Sequence, residues 1–150
     1  MARTFNPREL AASMLARRPL SEKELLKKLE EKGVEPREAG QTVAWMHEIG
    51  AVDDEKYAEV IARHYSRKGF GASRIKQELS RRGIGRETAL RVLESAEPCP
   101  DAIDRFIEKK LGGVKEPDRA ELKRLNAALQ RRGFGWQEIK EAIDRYLSRE

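Results

Sequence analysis

Leu29-Glu-Glu-Lys-Gly33-Val34, Leu79-Ser-Arg-Arg-Gly83-Ile84 and Leu129-Gln-Arg-Arg-Gly133-Phe134 are one phrase written three times, 50 residues apart. Each copy runs leucine, three polar residues, glycine, apolar residue, the order expected of a helix end and its stop. The register holds outward from the phrase. Leu25, Ile75 and Leu125 precede it, and Ala39, Ala89, Ile139 and then Val43, Leu93, Ile143 follow it. Six apolar or glycine columns thus recur three times in 150 residues. A period of this length predicts three copies of one small helical unit in tandem, not one globule around one catalytic pocket.

The punctuation between the columns sets the helices. Asn6-Pro7 is a cap followed by a first-turn proline and opens a helix through about residue 17. Ser21-Glu-Lys-Glu24 reads as a capping box ahead of the Leu25, Leu26, Leu29 stripe. Pro36 starts a third helix, which Gly50 ends. Asp53 or Asp54 caps a fourth, and Gly69-Phe-Gly71 breaks the chain before Ser73. Gly85-Arg86 opens the sixth. Pro98 and Pro100 flank Cys99 and mark a boundary, after which helices are expected near 101–111, 118–131 and 136–148. No run of alternating β-branched residues predicts a strand. The expected fold is all-α: nine short helices as three tandem three-helix repeats, 1–52, 53–97 and 98–150, in an elongated array able to curve. A module of about 50 residues is near the lower limit for a self-sufficient core, so each should lean on its neighbour.

Composition narrows the function. The chain is 38% charged and 6% aromatic, with a net charge of +5. That suits exposed helices over thin cores and favours anionic partners. No apolar run approaches the roughly 20 residues of a membrane span. The N-terminal stretch has no apolar core of a secretory signal, and the single Cys99 excludes an internal disulfide. A cytoplasmic monomer is expected.

The charge is concentrated. Between Arg63 and Arg91 nine basic residues face only Glu78 and Glu87, a net of +7 in 29 residues, so the flanks together are slightly acidic. The candidate surface for phosphates or an acidic groove comprises Arg67, Lys68, Arg74, Lys76, Arg81, Arg82 and Arg86. Arg81-Arg82 ends a helix before a glycine-bounded turn, and Arg86 lies in the first turn of the next, a helix-turn-helix-like arrangement. The competing reading is a solvated face whose arginines complement helix C-termini. Tyr57 and Phe134 fit core positions. Phe70, between two glycines, is the better candidate for an exposed contact such as stacking on a base, with packing the favoured reading even there, and Trp136 stands beside Arg131-Arg132.

Catalytic chemistry has no foothold in the sequence. His47 and His64 lie 17 residues apart, and Cys99 has no partner motif, so no metal or nucleophile constellation is expected. Asp53-Asp54-Glu55 reads as a helix start rather than a metal site. The Gly-x-Gly pieces follow no strand and lack the phosphate-loop lysine. The expectation is a protein without catalytic residues, metal or cofactor.

Ile49-Gly-Ala-Val-Asp-Asp-Glu-Lys-Tyr-Ala58, Lys68-Gly-Phe-Gly71, Arg74-Ile-Lys-Gln-Glu-Leu79 and Arg82-Gly-Ile84 together resemble the RecX family of bacterial proteins that regulate the RecA recombinase. Leu15-Ala-Arg-Arg-Pro-Leu-Ser21, Glu24-Leu25 and Leu29-Glu-Glu-Lys-Gly33 resemble that family's opening helices. The likeness is close over about 10–95 and looser beyond Pro98, where Arg132-Gly133-Phe134 fits. It departs at Ala72, where relatives often place proline. The resemblance implies three-helix repeats, binding along the groove of the RecA–DNA filament, and modulation of RecA, usually inhibition of ATP hydrolysis and strand exchange. It carries the settings of DNA repair, recombination and the SOS response, and no active site. Three modules of helices roughly 18 Å long would reach on the order of 60 Å and bridge filament subunits. Single- or double-stranded DNA is a further expected partner, and the rival reading is a helix-turn-helix module that acts without RecA and binds duplex DNA sequence-selectively.

Overall fold

A computed structural model describes residues 6–96 and 100–149. Pro98 and Cys99, at the expected module boundary, lie outside the described residues. Nine α-helices and no strand are found among them: α1 Pro7–Arg17, α2 Glu22–Glu31, α3 Pro36–Glu48, α4 Asp54–Arg67, α5 Ala72–Arg81, α6 Arg86–Ser95, α7 Pro100–Leu111, α8 Arg119–Arg131 and α9 Trp136–Leu147.

The thrice-written phrase is a helix stop with one geometry. In the first copy the amide of Val34 donates to Leu29 O at 3.0 Å and that of Gly33 to Glu30 O at 3.0 Å. The second repeats this with Ile84 to Leu79 (3.0 Å) and Gly83 to Ser80 (3.0 Å). The third has Phe134 to Leu129 (3.2 Å) and Gly133 to Gln130 (3.0 Å). These are the crossed bonds that satisfy the orphan carbonyls of a helix C-terminus, and they require a left-handed residue at the glycine. Gly33, Gly83 and Gly133 have φ of 93°, 85° and 95°. The apolar columns fall inside: Leu25, Leu29, Ile75, Leu79, Leu125 and Leu129 are all at most 4% exposed.

The starts are as local as the stops. The Asn6 side chain accepts from the amide of Arg8 at 2.8 Å, with Pro7 opening α1. Ser21 and Glu24 close a capping box at α2, and Asp118 and Glu121 do the same at α8. Asp53 caps α4 through the amide of Lys56 at 3.1 Å. Asp54 turns elsewhere and accepts from the amide of Glu22 at 2.9 Å, so it serves the start of α2 rather than of its own helix.

Contacts divide the chain into two compact units, Met1–Val60 with Leu79–Val92, and Ile61–Glu78 with Leu93–Glu150. The middle repeat is therefore shared, its pieces built into different units. The first unit packs α1, α2 and α3 around Ala11, Leu20, Leu25, Leu29, Val34, Ala39, Val43, Met46 and Val52. Arg8 stacks 4.1 Å over the half-buried Trp45 at its edge. The second unit packs α7, α8 and α9 around Ile103, Ile107, Leu111, Leu125, Leu129, Ile139, Ala142 and Tyr146. The Tyr146 hydroxyl donates to Val114 O at 2.7 Å and pins the long α7–α8 connection. Each fully buried leucine in these cores is worth roughly 1.5–3 kcal/mol of transfer free energy.

One clasp is built twice. In the first unit the buried Ser21 hydroxyl donates to the carbonyl of Arg82, in the α5–α6 turn. In the second unit the amide of Gly71 donates to Arg132 O at 2.7 Å and that of Ser73 to Gly133 O at 3.1 Å, in the α8–α9 turn. Ser21 and Gly71 are register partners, as are Arg82 and Arg132. The start of one repeat's second helix thus grips the helix stop of the next repeat. Glycine at 71 permits the closer backbone approach.

Candidate anionic-partner interface

The seven basic positions singled out from sequence divide between the two units. Arg81, Arg82 and Arg86 belong to the first. Arg86 begins α6 and is exposed, as is Arg81 at the end of α5. Arg82 is half-buried, and its guanidinium donates to the Tyr57 hydroxyl at 2.9 Å. That hydroxyl also receives Arg18 at 3.4 Å. Tyr57 is 7% exposed, so its place in the core is set by the ring and its hydroxyl is the arginine anchor.

Arg67, Lys68, Arg74 and Lys76 belong to the second unit, and all four are exposed. Arg67 ends α4. Arg74 and Lys76 are two positions apart on α5, so they stand about 200° apart around the helix and face different ways. Ion pairs among the described residues engage other arginines: Arg18 with Glu24 (3.5 Å), Arg91 with Glu55 (3.4 Å), Arg145 with Asp104 (2.9 Å), and Arg149 with Glu108. None of these pairs includes Arg67, Lys68, Arg74, Lys76 or Arg86.

The second unit gathers its cations on aromatic rings. The Lys68 amino group lies 5.9 Å from the ring centre of Tyr65, which packs edge-on against Phe70 at 5.7 Å. Arg74 lies 5.6 Å from the centre of Phe70. The α8–α9 turn brings a further arginine to the same ring. Arg132 lies 5.0 Å from Phe70 and 4.5 Å from Phe106, and its Nη1 donates to the carbonyls of Lys68 (3.2 Å) and Gly69 (3.4 Å). Cation–π pairs of this kind hold long side chains in place at modest cost in entropy. Phe70 is half-buried beneath its two arginines, so its ring faces guanidinium groups rather than solvent.

Arg132 lies outside the seven candidate positions, although it follows Arg131 beside Phe134 and Trp136. The available signal was the 50-residue register, which makes Arg132 the counterpart of Arg82. Phe134 is half-buried against the third-repeat core, while Trp136 is 69% exposed at the start of α9.

The other polar features have local explanations. A shallow cavity on α7 and α9 is lined by Asp101, Asp104, Glu108, Arg145 and Arg149, and the pairs just named neutralise most of its charge. Burial pushes the Asp54 carboxyl above the ordinary aspartate range, and the amide of Glu22 opposes that rise. No group of three His, Cys, Asp or Glu able to hold a metal occurs among the described residues. No described helix is long and apolar enough to cross a membrane.

Tandem three-helix units joined by a repeated clasp, with a basic, ring-backed surface in the second unit, define a helical-repeat protein. The comparisons with known proteins narrow this class. Models of the RecX first, second and third three-helix domains match residues 8–46, 53–93 and 100–143. The regulatory protein RecX of Halorhodospira halophila is 35% identical over 136 residues, covering 90% of this chain and 84% of the relative. That of Stenotrophomonas maltophilia is 30% identical over 141 residues, covering 93% and 86%. The crystal structure of RecX from Lactobacillus salivarius superposes with a TM-score of 0.86 at 19% identity, covering 93% of this chain and 94% of that one. The chain belongs to the RecX family of regulatory proteins.

Proposed function

We propose that this chain is a non-enzymatic regulator of the RecA recombinase. It binds the RecA–DNA filament in the cytoplasm and lowers its ATP hydrolysis and strand exchange, with a role in recombination and DNA repair. Membership of the RecX family supports the reading. The observation that carries it is a set of exposed cations: Arg67, Lys68, Arg74 and Lys76 in the second unit, and Arg86 in the first, stand outside the ion pairs that engage other arginines. Exposed cations left outside ion pairs are available to an external polyanion or acidic groove. Docking on the filament biases its subunits against the rearrangements that ATP turnover requires.

The test is RecA ATP hydrolysis on single-stranded DNA with increasing amounts of the full chain. Inhibition that deepens with the amount of chain is expected. A variant with alanine at 67, 68, 74, 76 and 86 should need markedly more protein and show a flatter salt dependence. RecA turnover untouched by excess wild-type chain would overturn the reading. Tight sequence-selective duplex binding in that same preparation would favour the helix-turn-helix rival.

A further inference from the structure

The α8–α9 turn holds the Arg132 guanidinium in one pose. Its Nη1 is committed to the carbonyls of Lys68 and Gly69. Its plane is backed by Phe106 and Phe70 at 4.5 and 5.0 Å. The backbone beneath it is fixed by the bond from the Gly71 amide to Arg132 O, at 2.7 Å. The Nε and Nη2 groups have no hydrogen-bond partner among the described residues, and no carboxylate there pairs with this arginine. An arginine locked at one nitrogen with its other donors unspent is a preorganised fork for two oxygens of one phosphate.

Two further cations lie on the same group of rings, Arg74 on Phe70 beside Arg132, and Lys68 on Tyr65, which packs against Phe70. Arg67 and Arg131 adjoin them in sequence and are exposed. Such a density of positive charge suits a polymer with closely spaced charges better than the sparse carboxylates of a folded acidic surface. The cations also cover the ring faces, so the group recognised is the backbone phosphate rather than a stacked base.

We propose that Lys68, Arg74 and Arg132 form one phosphodiester-binding site for a DNA strand, with Arg132 as its bidentate anchor. The third repeat thereby completes the basic surface of the middle one. This rests on the filament reading for its biological setting but makes a separate claim about naked DNA.

The experiment is fluorescence anisotropy of the full chain with a labelled mixed-sequence single-stranded oligonucleotide at several salt concentrations, beside the RecA assay above. Arg132→Ala should weaken DNA binding about tenfold and reduce the salt slope by about one. Arg132→Lys keeps the charge and should keep the slope while still losing most of the affinity, because a lysine has no fork. Circular dichroism identifies any unfolded variant. Arg132→Lys and Arg74→Ala then decide the matter, each expected to bind DNA several-fold more weakly while folded. Wild-type affinity in the folded variants would overturn the site. So would absence of DNA binding by the wild type, even if RecA is inhibited, and that result leaves the filament reading standing. Displacement of the protein by polyglutamate as readily as by unlabelled oligonucleotide would assign the site to an acidic protein surface and overturn the DNA claim.

Discussion

Gly71→Ala isolates the contact on which the second unit's clasp depends. A methyl group at 71 would lie 2.5 Å from both the carbonyl carbon and oxygen of Gly133 and 2.6 Å from the amide nitrogen of Phe134. All three are backbone atoms of a turn already fixed by its own crossed hydrogen bonds, so no flexible side chain can swing aside. Ordinary contact begins near 3.4 Å, which requires the turns to separate by about 1 Å. The bonds from Gly71 to Arg132 O and from Ser73 to Gly133 O, now 2.7 and 3.1 Å, then pass out of hydrogen-bonding range. Two backbone bonds at about 1 kcal/mol each, with some 1–2 kcal/mol of overpacking, give a destabilisation of about 3 kcal/mol. Gly71 is not in the left-handed region, so this cost is purely one of proximity. Gly33→Ala is the complement: its φ is 93° and its added methyl meets nothing within 4 Å, so only the backbone cost of about 1–2 kcal/mol applies. Urea unfolding followed by circular dichroism should place Gly71→Ala below Gly33→Ala in midpoint. Hydrogen exchange should show lost protection at 69–75 and 131–136 alone. A Gly71→Ala chain with wild-type midpoint and wild-type protection in those segments would refute the clasp.

Three further outcomes follow from the same geometry. Ser21→Ala removes the acceptor for the amide of Glu24 (3.1 Å) and the donor to the Arg82 carbonyl at a fully buried position, and urea unfolding should show a loss of about 1–2 kcal/mol. Leu29→Ala empties a site that is 0% exposed in the first core and should cost about 2–5 kcal/mol in the same assay. Because burial raises the Asp54 carboxyl above 3.8, the folded chain binds that proton more tightly than the unfolded chain. Its contribution is complete below the unfolded value and is lost as pH rises through the raised folded value. Asp54→Asn keeps an acceptor for Glu22 but does not titrate. Thermal melts at pH 4, 5 and 7 should therefore show wild type gaining on the variant as pH falls, and a pH-independent difference would remove the assignment.

The secondary structure was legible because its signals are local. A capping box spans four residues and this helix stop six, so Ser21-Glu24 and Leu29-Val34 can be read directly from the chain. The buried columns were legible because a helix presents one face to its neighbours over many turns. The acidic run at 53–55 shows where such reading stops. Its sequence offers Asp53 or Asp54 as the cap of α4; Asp53 takes that role, while Asp54 serves the start of α2, 32 residues upstream in sequence. Nothing in a window of a few residues distinguishes a carboxylate that caps its own helix from one that caps another.

The period carries more information than its columns do. Ser21 reaches Arg82 and Gly71 reaches Arg132, both across 61 residues, so the clasp is a property of the repeat and not of one site. Within that shared frame the two arginines have different roles, and the cause is visible one column away. Position 57 is a tyrosine whose hydroxyl takes up the Arg82 guanidinium, whereas its counterpart 107 is an isoleucine, 0% exposed, that offers no acceptor. Arg132 therefore turns to the carbonyls of Lys68 and Gly69 and to the rings of Phe70 and Phe106. A Tyr57→Phe substitution probes this logic, since it removes the hydroxyl to which Arg82 donates without altering the core ring. If that hydroxyl is what separates the two arginines, urea unfolding of the variant should show a loss of about 1 kcal/mol of stability. Unchanged stability would mean that the difference between the copies lies outside this column.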